Sequence, residues 1–177
     1  VTYHPVTLEQ NTSLRQIDSL INALETFPDA RIIFTQTNAD PGHEAIRDKI
    51  AKFVSVNNGR TCMIESFGQR RYLSALKYVD VVIGNSSSGV IEVPAFHKPT
   101  VNIGDRQKGR LMADSIINCS DDEQSIKDAI IKAMSDSFQK GLPSVVSPYN
   151  GGVLFSVNIK DTLKNISLND GILKKRF

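Results

Sequence analysis

Short β-branched and aromatic runs alternate with amphipathic helical stretches along this chain, and no other feature limits its fold as sharply. Residues 31–35, 61–65, 80–83, 99–103 and, more weakly, 115–119 have strand character. Between the strands, Leu14, Ile17, Leu20, Ile21 and Leu24 recur at the spacing of one buried helix face, with Ser13 as the expected cap and Pro28 as the stop. Ile46, Ile50, Phe53 and Val54 mark a second helix, and Tyr72, Leu73, Leu76 and Val79 a third over 69–79; others are expected over 87–96, 122–137 and 153–166. Strands joined through helical crossovers pair in parallel, because a tight hairpin joins only antiparallel neighbours. The predicted fold class is therefore α/β with a doubly wound parallel sheet. The 177 residues suit one domain over 1–177, and no linker or repeat divides them. The opening Val-Thr-Tyr-His-Pro reads as the end of a strand without an initiator Met, as expected of a fragment of a longer protein.

A net charge of +2 and 40 % hydrophobic residues describe an ordinary soluble domain, and nothing in them points to a nucleic-acid or membrane partner. The basic runs Arg70-Arg71 and Lys174-Lys175-Arg176 read as a solvated helix face and a terminus. Cys62 and Cys119 lack ligand spacing, which predicts buried inert thiols and a reducing cytoplasm. No apolar run approaches the roughly 18 residues of a membrane span. His4, His43 and His97 share no metal-like spacing, so no metal site is assigned. His43 reads as solvent-exposed and His97 as a surface or C-terminal capping residue.

The stretch VDVVIGNSSSGVIEVPAF joins a strand to a helix through three serines and a glycine. Ligands of open parallel sheets bind where strand ends enter helices, and a helix N-terminus offers unpaired N–H groups to phosphate. The plainer reading makes one serine a cap and the others spacers. Glu92, placed on the turn behind the serines, and Arg106, leaving the adjacent strand at the same sheet edge, favour a diphosphate cradle. His4 ends the first strand at that edge, where structural and functional roles are evenly balanced. There is no GxxxxGK[ST] and no GxGxxG after the first strand, which argues against the P-loop and the usual dinucleotide readings.

GNSSSGVIEVPAFHKPTVNIGDRQKGR, with TYHPVTLE, FTQTNADPG and SFGQRRYLSALK, closely resembles the hydrolysing UDP-N-acetylglucosamine 2-epimerases. The resemblance implies the Rossmann-like, UDP-binding C-terminal domain of a glycosyltransferase-B-like two-domain fold, with the chain's own N-terminal domain as its missing partner. It implies that Ser86 and Ser87 hold the UDP diphosphate, that Glu92, Arg106 and Asn38 belong to the nucleotide site, and that Phe67 meets the uracil through its backbone. It gives His4 a catalytic role on the phosphate side of the substrate. His4-Pro5-Val6-Thr7 departs from the His-Arg-Arg-Glu run of the non-hydrolysing branch. Gly42-His43-Glu44-Ala45 lacks the basic residues through which CMP-sialic acid inhibits the animal enzyme, so that regulation is not expected.

The implied reaction is loss of UDP from the UDP-sugar through a glycal, followed by water addition to give N-acetylmannosamine in sialic-acid-type sugar biosynthesis. The nucleotide sugar is the substrate and no cofactor is implied, neither NAD nor a divalent ion. The sugar itself stays open between the N-acetylglucosamine and diacetylbacillosamine forms, and a homo-oligomer is possible. Two alternatives remain: a nucleotide-sugar glycosyltransferase of the same fold, or a UDP-binding module inactive alone.

Overall fold

The computed structural model describes residues 1–6, 12–150, 152 and 154–166. The run Lys174-Lys175-Arg176 and the start of the last expected helix, Val153, lie outside the described residues. Five strands are formed: β1 (Ile32–Thr35), β2 (Thr61–Ile64), β3 (Val82–Gly84), β4 (Thr100–Ile103) and β5 (Ile116–Cys119). All named pairings are parallel: β1 with β2, β3 with β4, and β4 with β5.

Residues 1–3 run between these two groups. Thr35 donates its N–H to the Val1 carbonyl (2.9 Å) on one side; on the other, Thr2 donates to Ile83 (3.0 Å) and Asn85 to Thr2 (3.2 Å). The spatial order is therefore β2, β1, residues 1–3, β3, β4, β5. Counting residues 1–3 as the first strand, this is the 3-2-1-4-5-6 order of a doubly wound dinucleotide-type sheet. Gly84 permits the central junction. Its φ is 138°, and a Cβ there would stand 1.8 Å from the Thr2 carbonyl oxygen.

Three helices, α1 (Ser13–Glu25), α2 (His43–Val56) and α5 (Glu123–Met134), cover one sheet face. Ile17, Leu20 and Leu24 of α1, Ile46, Ile50 and Phe53 of α2, and Ile126 and Ile130 of α5 close over Phe34, Ile83, Val101 and Ile117. Each such side chain contributes about 1.5–3 kcal/mol through burial. The α1 periodicity is confirmed on its inner face, while Leu14 is exposed and Ser13 lies inside the helix with Thr12 at the N-cap position.

The opposite face is covered more thinly, by α3 (Gly68–Ala75) and α4 (Ser87–Ile91). The helix expected over 69–79 stops early, and of its four supposed inward residues only Leu76 is fully buried. The helix expected over 87–96 is five residues of α-helix followed by a 3-10 turn, Val93–Phe96, because Pro94 has no N–H to continue the α pattern. The helix expected over 122–137 is two helices, α5 and α6 (Asp136–Gly141). Ser135 is extended, closes α5, and accepts the Phe138 N–H to start α6 (3.4 Å).

The last helix, α7 (Phe155–Asn165), forms as expected but buries no side chain. Cys62 is exposed rather than buried, because β2 is an edge strand and its second residue points outward. Cys119 is half-buried, and burial pushes its thiol up to about 12. His43 is half-buried rather than exposed, with Nδ1 3.0 Å from the Asp40 carbonyl oxygen. His97 closes the 3-10 turn in the left-handed region (φ 53°).

Gly84→Ala is expected to destabilise the protein by at least about 3 kcal/mol, from left-sided φ strain and collision with the Thr2 backbone. Chemical denaturation measures it; a change below 1 kcal/mol would show that the sheet does not need this close approach.

Candidate functional site

The strand order reverses between residues 1–3 and β3, and ligands of open α/β sheets bind at such a switch point. The first residues beyond the two strands, His4 and Asn85, meet there. Asn85 is fully buried, and its side chain pairs with the His4 backbone twice: Oδ1 accepts the His4 N–H and Nδ2 donates to the His4 carbonyl, both at 2.8 Å. The backbone carbonyl of Asn85 accepts two further bonds from the loop after β4, from Arg106 Nη1 (3.2 Å) and Gln107 Nε2 (2.8 Å). Arg106 therefore does return to the serine turn, as the sequence suggested.

The His4 ring is held by Asn38, whose backbone N–H donates to Nδ1 (3.1 Å). With Nδ1 accepting, the neutral ring carries its proton on Nε2 and offers a donor to a ligand. Burial, then the Arg106 charge, lower the pKa below the ordinary imidazole value, against an opposing pull from Asp40. The Asn38 side chain donates to the Asp40 carboxylate (2.5 Å). Asn38 thus meets the site through its backbone, by orienting His4.

The serine turn divides its work. Ser86 caps α4 by accepting the Ser88 N–H (3.4 Å), and Ser87 opens the helix. With only five residues, α4 carries a small dipole, and the polar groups gathered at this turn are serine hydroxyls, backbone N–H groups and the Arg106 guanidinium. Gly89 lets α4 sit on β4: a Cβ would lie 2.8 Å from Thr100 Cγ2, and Thr100 Oγ1 donates to the Gly89 carbonyl (2.8 Å).

Ser88 turns the other way and donates to the Tyr72 hydroxyl. Tyr72, Phe67, Ser88, Glu92 and Gln36 line a cleft of about 290 Å³, with the Phe67 and Tyr72 ring centroids 6.5 Å apart. Burial raises the Tyr72 phenol pKa, the Ser88 bond opposing it. Glu92 stands one turn behind Ser88, where α4 gives way to the 3-10 turn, and lines this cleft with Phe67.

The predicted residues thus fall into two adjoining groups, His4, Asn38 and Arg106 on one side and Phe67 and Glu92 on the other, with Ser86 and Ser87 between. Sequence reading missed the linking role of Asn85, the amide of Gln107, and Tyr72, whose helical spacing resembled that of a core residue. A wider cleft of about 520 Å³ opens between the ends of β4 and β5, lined by Asn102, Asp105, Lys108 and Asn118, and contains none of the predicted residues.

A parallel sheet in this order, with polar loops gathered at its switch point, is a Rossmann-like domain. Residues 1–164 match UDP-N-acetylglucosamine 2-epimerase, and the chain belongs to that family. It is 37 % identical over 177 residues to the GDP/UDP-N,N'-diacetylbacillosamine 2-epimerase (hydrolyzing) of Campylobacter jejuni, covering all of this chain and 45 % of that protein. It is 36 % identical over 169 residues to polysialic acid biosynthesis protein P7 of Escherichia coli, covering 93 % of this chain and 43 % of the relative. Among solved structures, UDP-GlcNAc 2-epimerase from Neisseria meningitidis bound to UDP-GlcNAc superposes with a TM-score of 0.71 at 13 % identity, over 93 % of this chain and 44 % of that one. The chain spans less than half the length of the relatives it matches. No helix among the described residues is long and apolar enough to cross a membrane.

An NMR titration of His4 is expected to give a midpoint below the ~6.5 of a free imidazole, with the proton on Nε2. A depressed folded-state pKa makes the stability contribution complete above pH ~6.5 and lost as pH falls through the lower folded value. His4→Gln should therefore flatten the acid side of a Tm–pH curve; a His4 midpoint above 7 would contradict the geometry.

Proposed function

We propose that residues 1–177 are the UDP-binding C-terminal domain of a hydrolysing UDP-sugar 2-epimerase, working in the cytoplasm in the synthesis of sialic-acid-type sugars. The observation that carries this reading is the meeting of His4, the serine turn and Arg106 at the switch point, beside an aromatic cleft bearing a carboxylate. In this reading Phe67 and Tyr72 bound the uracil and Glu92 accepts hydrogen bonds from ribose hydroxyls. Ser86, Ser87 and Arg106 hold the diphosphate, and His4 Nε2–H donates to a phosphate oxygen.

The reaction removes the C2 proton of the sugar; its electron pair forms the C1–C2 double bond as the C1–O bond breaks and UDP leaves with that bonding pair. Water then adds at C1, and a proton returns to C2 from the opposite face. Departure builds negative charge on the diphosphate, where donors already in place stabilise it without rearranging. The C2 base belongs to the remaining half of the protein. The uncovered apolar side chains Phe155, Ile159 and Leu163, on one face of α7, support a contact with that half. The relatives bear names with either N-acetylglucosamine or diacetylbacillosamine. In this reading the sugar is recognised partly by the remaining half of the protein.

Calorimetry on the full-length protein is expected to show UDP binding that weakens about 10–100-fold in Arg106→Ala, the range for losing charge-assisted hydrogen bonds. Ser87→Ala should weaken it about 3–10-fold. Saturating UDP should also raise the His4 pKa, since a nearby anion favours the imidazolium. Unchanged UDP affinity in both variants would reject the site. Release of a free 2-epimerised sugar without an acceptor separates the epimerase from a glycosyltransferase of the same fold, and UDP binding without turnover by residues 1–177 alone identifies a domain that needs its other half.

A further inference from the structure

The bonds around Asn85 do more than join two strand ends. The orientation of its amide is forced, because the His4 N–H requires an oxygen and the His4 carbonyl requires an N–H. Its backbone carbonyl is shared by Arg106 Nη1 and Gln107 Nε2, so the residues proposed to grip the diphosphate are tied to one buried point from opposite sides. Gln107 is 2 % exposed, and its Oε1 has no hydrogen-bond partner among the described residues. A buried amide with an unsatisfied oxygen is unfavourable, and an apolar side chain would fill the same space without that cost. The gain that offsets it is the single bond from Nε2 to Asn85. That bond anchors the loop of residues 104–110, whose neighbours Asp105, Lys108, Gly109 and Arg110 are all exposed.

Arg106 spends one of its five N–H donors on the same carbonyl and keeps the others for a ligand. Without Gln107, Arg106 is the loop's remaining bond to Asn85. A bound diphosphate would then compete with that carbonyl for the guanidinium.

We propose that Gln107 and Asn85 form a buried amide clamp that sets the place of Arg106 against His4, making both of them positioning residues for diphosphate recognition. The proposal rests on the UDP-site reading above. It assigns Gln107 an effect that passes through Arg106 and has no direct contact with the nucleotide.

The test is a double-mutant cycle on UDP affinity in the full-length protein, using Gln107→Met, Arg106→Ala and the double variant. Gln107→Met, close in volume but without a donor, is expected to raise the UDP Kd about five- to tenfold with the calorimetric stoichiometry unchanged, and to lower kcat/KM by a similar factor. In the Arg106→Ala background the same substitution should change Kd less than twofold. A Gln107→Met protein that loses binding sites while the remaining sites keep the wild-type Kd would show a purely structural role and overturn the clamp. So would equal effects of Gln107→Met with and without Arg106. If Arg106→Ala itself leaves UDP affinity unchanged, the UDP-site reading fails and the clamp with it; if Arg106→Ala weakens binding and Gln107→Met does not, the clamp alone fails.

Discussion

The sheet depends on the insertion of residues 1–3 between β1 and β3. Without their hydrogen bonds to Thr35 on one side and to Ile83 and Asn85 on the other, the named strands form one pair and one triplet with no join. The insertion places Thr2 so close to Gly84 that no side chain fits there. It also makes His4 and Asn85 the first residues beyond two neighbouring parallel strands, at the one place where the connections diverge in opposite directions. The geometry of the site follows from this junction.

From the junction outward, polar groups are arranged in a chain of dependence. Asn38 orients the His4 ring, Asn85 holds the His4 backbone, and the Asn85 carbonyl draws in the loop carrying Arg106 and Gln107. Low local polarity strengthens each of these bonds and makes the loss of any partner costly. The same surroundings lower the His4 pKa, and with Nδ1 accepting from Asn38 the neutral ring presents Nε2–H at the switch point. On the far side of the serine turn, the thin covering by α3 and the early end of α4 leave space for a cleft.

The alternation of strands and helices was readable because the α1, α2 and α5 faces repeat at helical spacing and bury what that spacing selects. Boundaries failed where a single residue interrupts a favourable pattern: Pro94 ends α4, and Ser135 divides a helix by serving as the end of one and the cap of the next. The exposure of Cys62 was not readable either, since edge position is a property of strand order, which one strand does not encode. The shared location of His4, the serines and Arg106 at one sheet edge was readable, because each follows the end of a strand. Tyr72 was not, because an aromatic at helical spacing looks the same whether it packs into a core or lines a cleft.

By itself, the sequence determined an α/β fold with parallel pairing and a polar serine turn at a strand end, because period and turn chemistry are local. The family resemblance came from four short stretches, each local in sequence, and needed no coordinates. Only the tertiary structure decided that residues 1–3 occupy the centre of the sheet, that Asn85 links His4 to Arg106, and that Glu92 faces the aromatic cleft. Those facts rest on contacts between segments up to 81 positions apart, such as that between His4 and Asn85, and no local pattern reports which distant backbone group a buried amide will find.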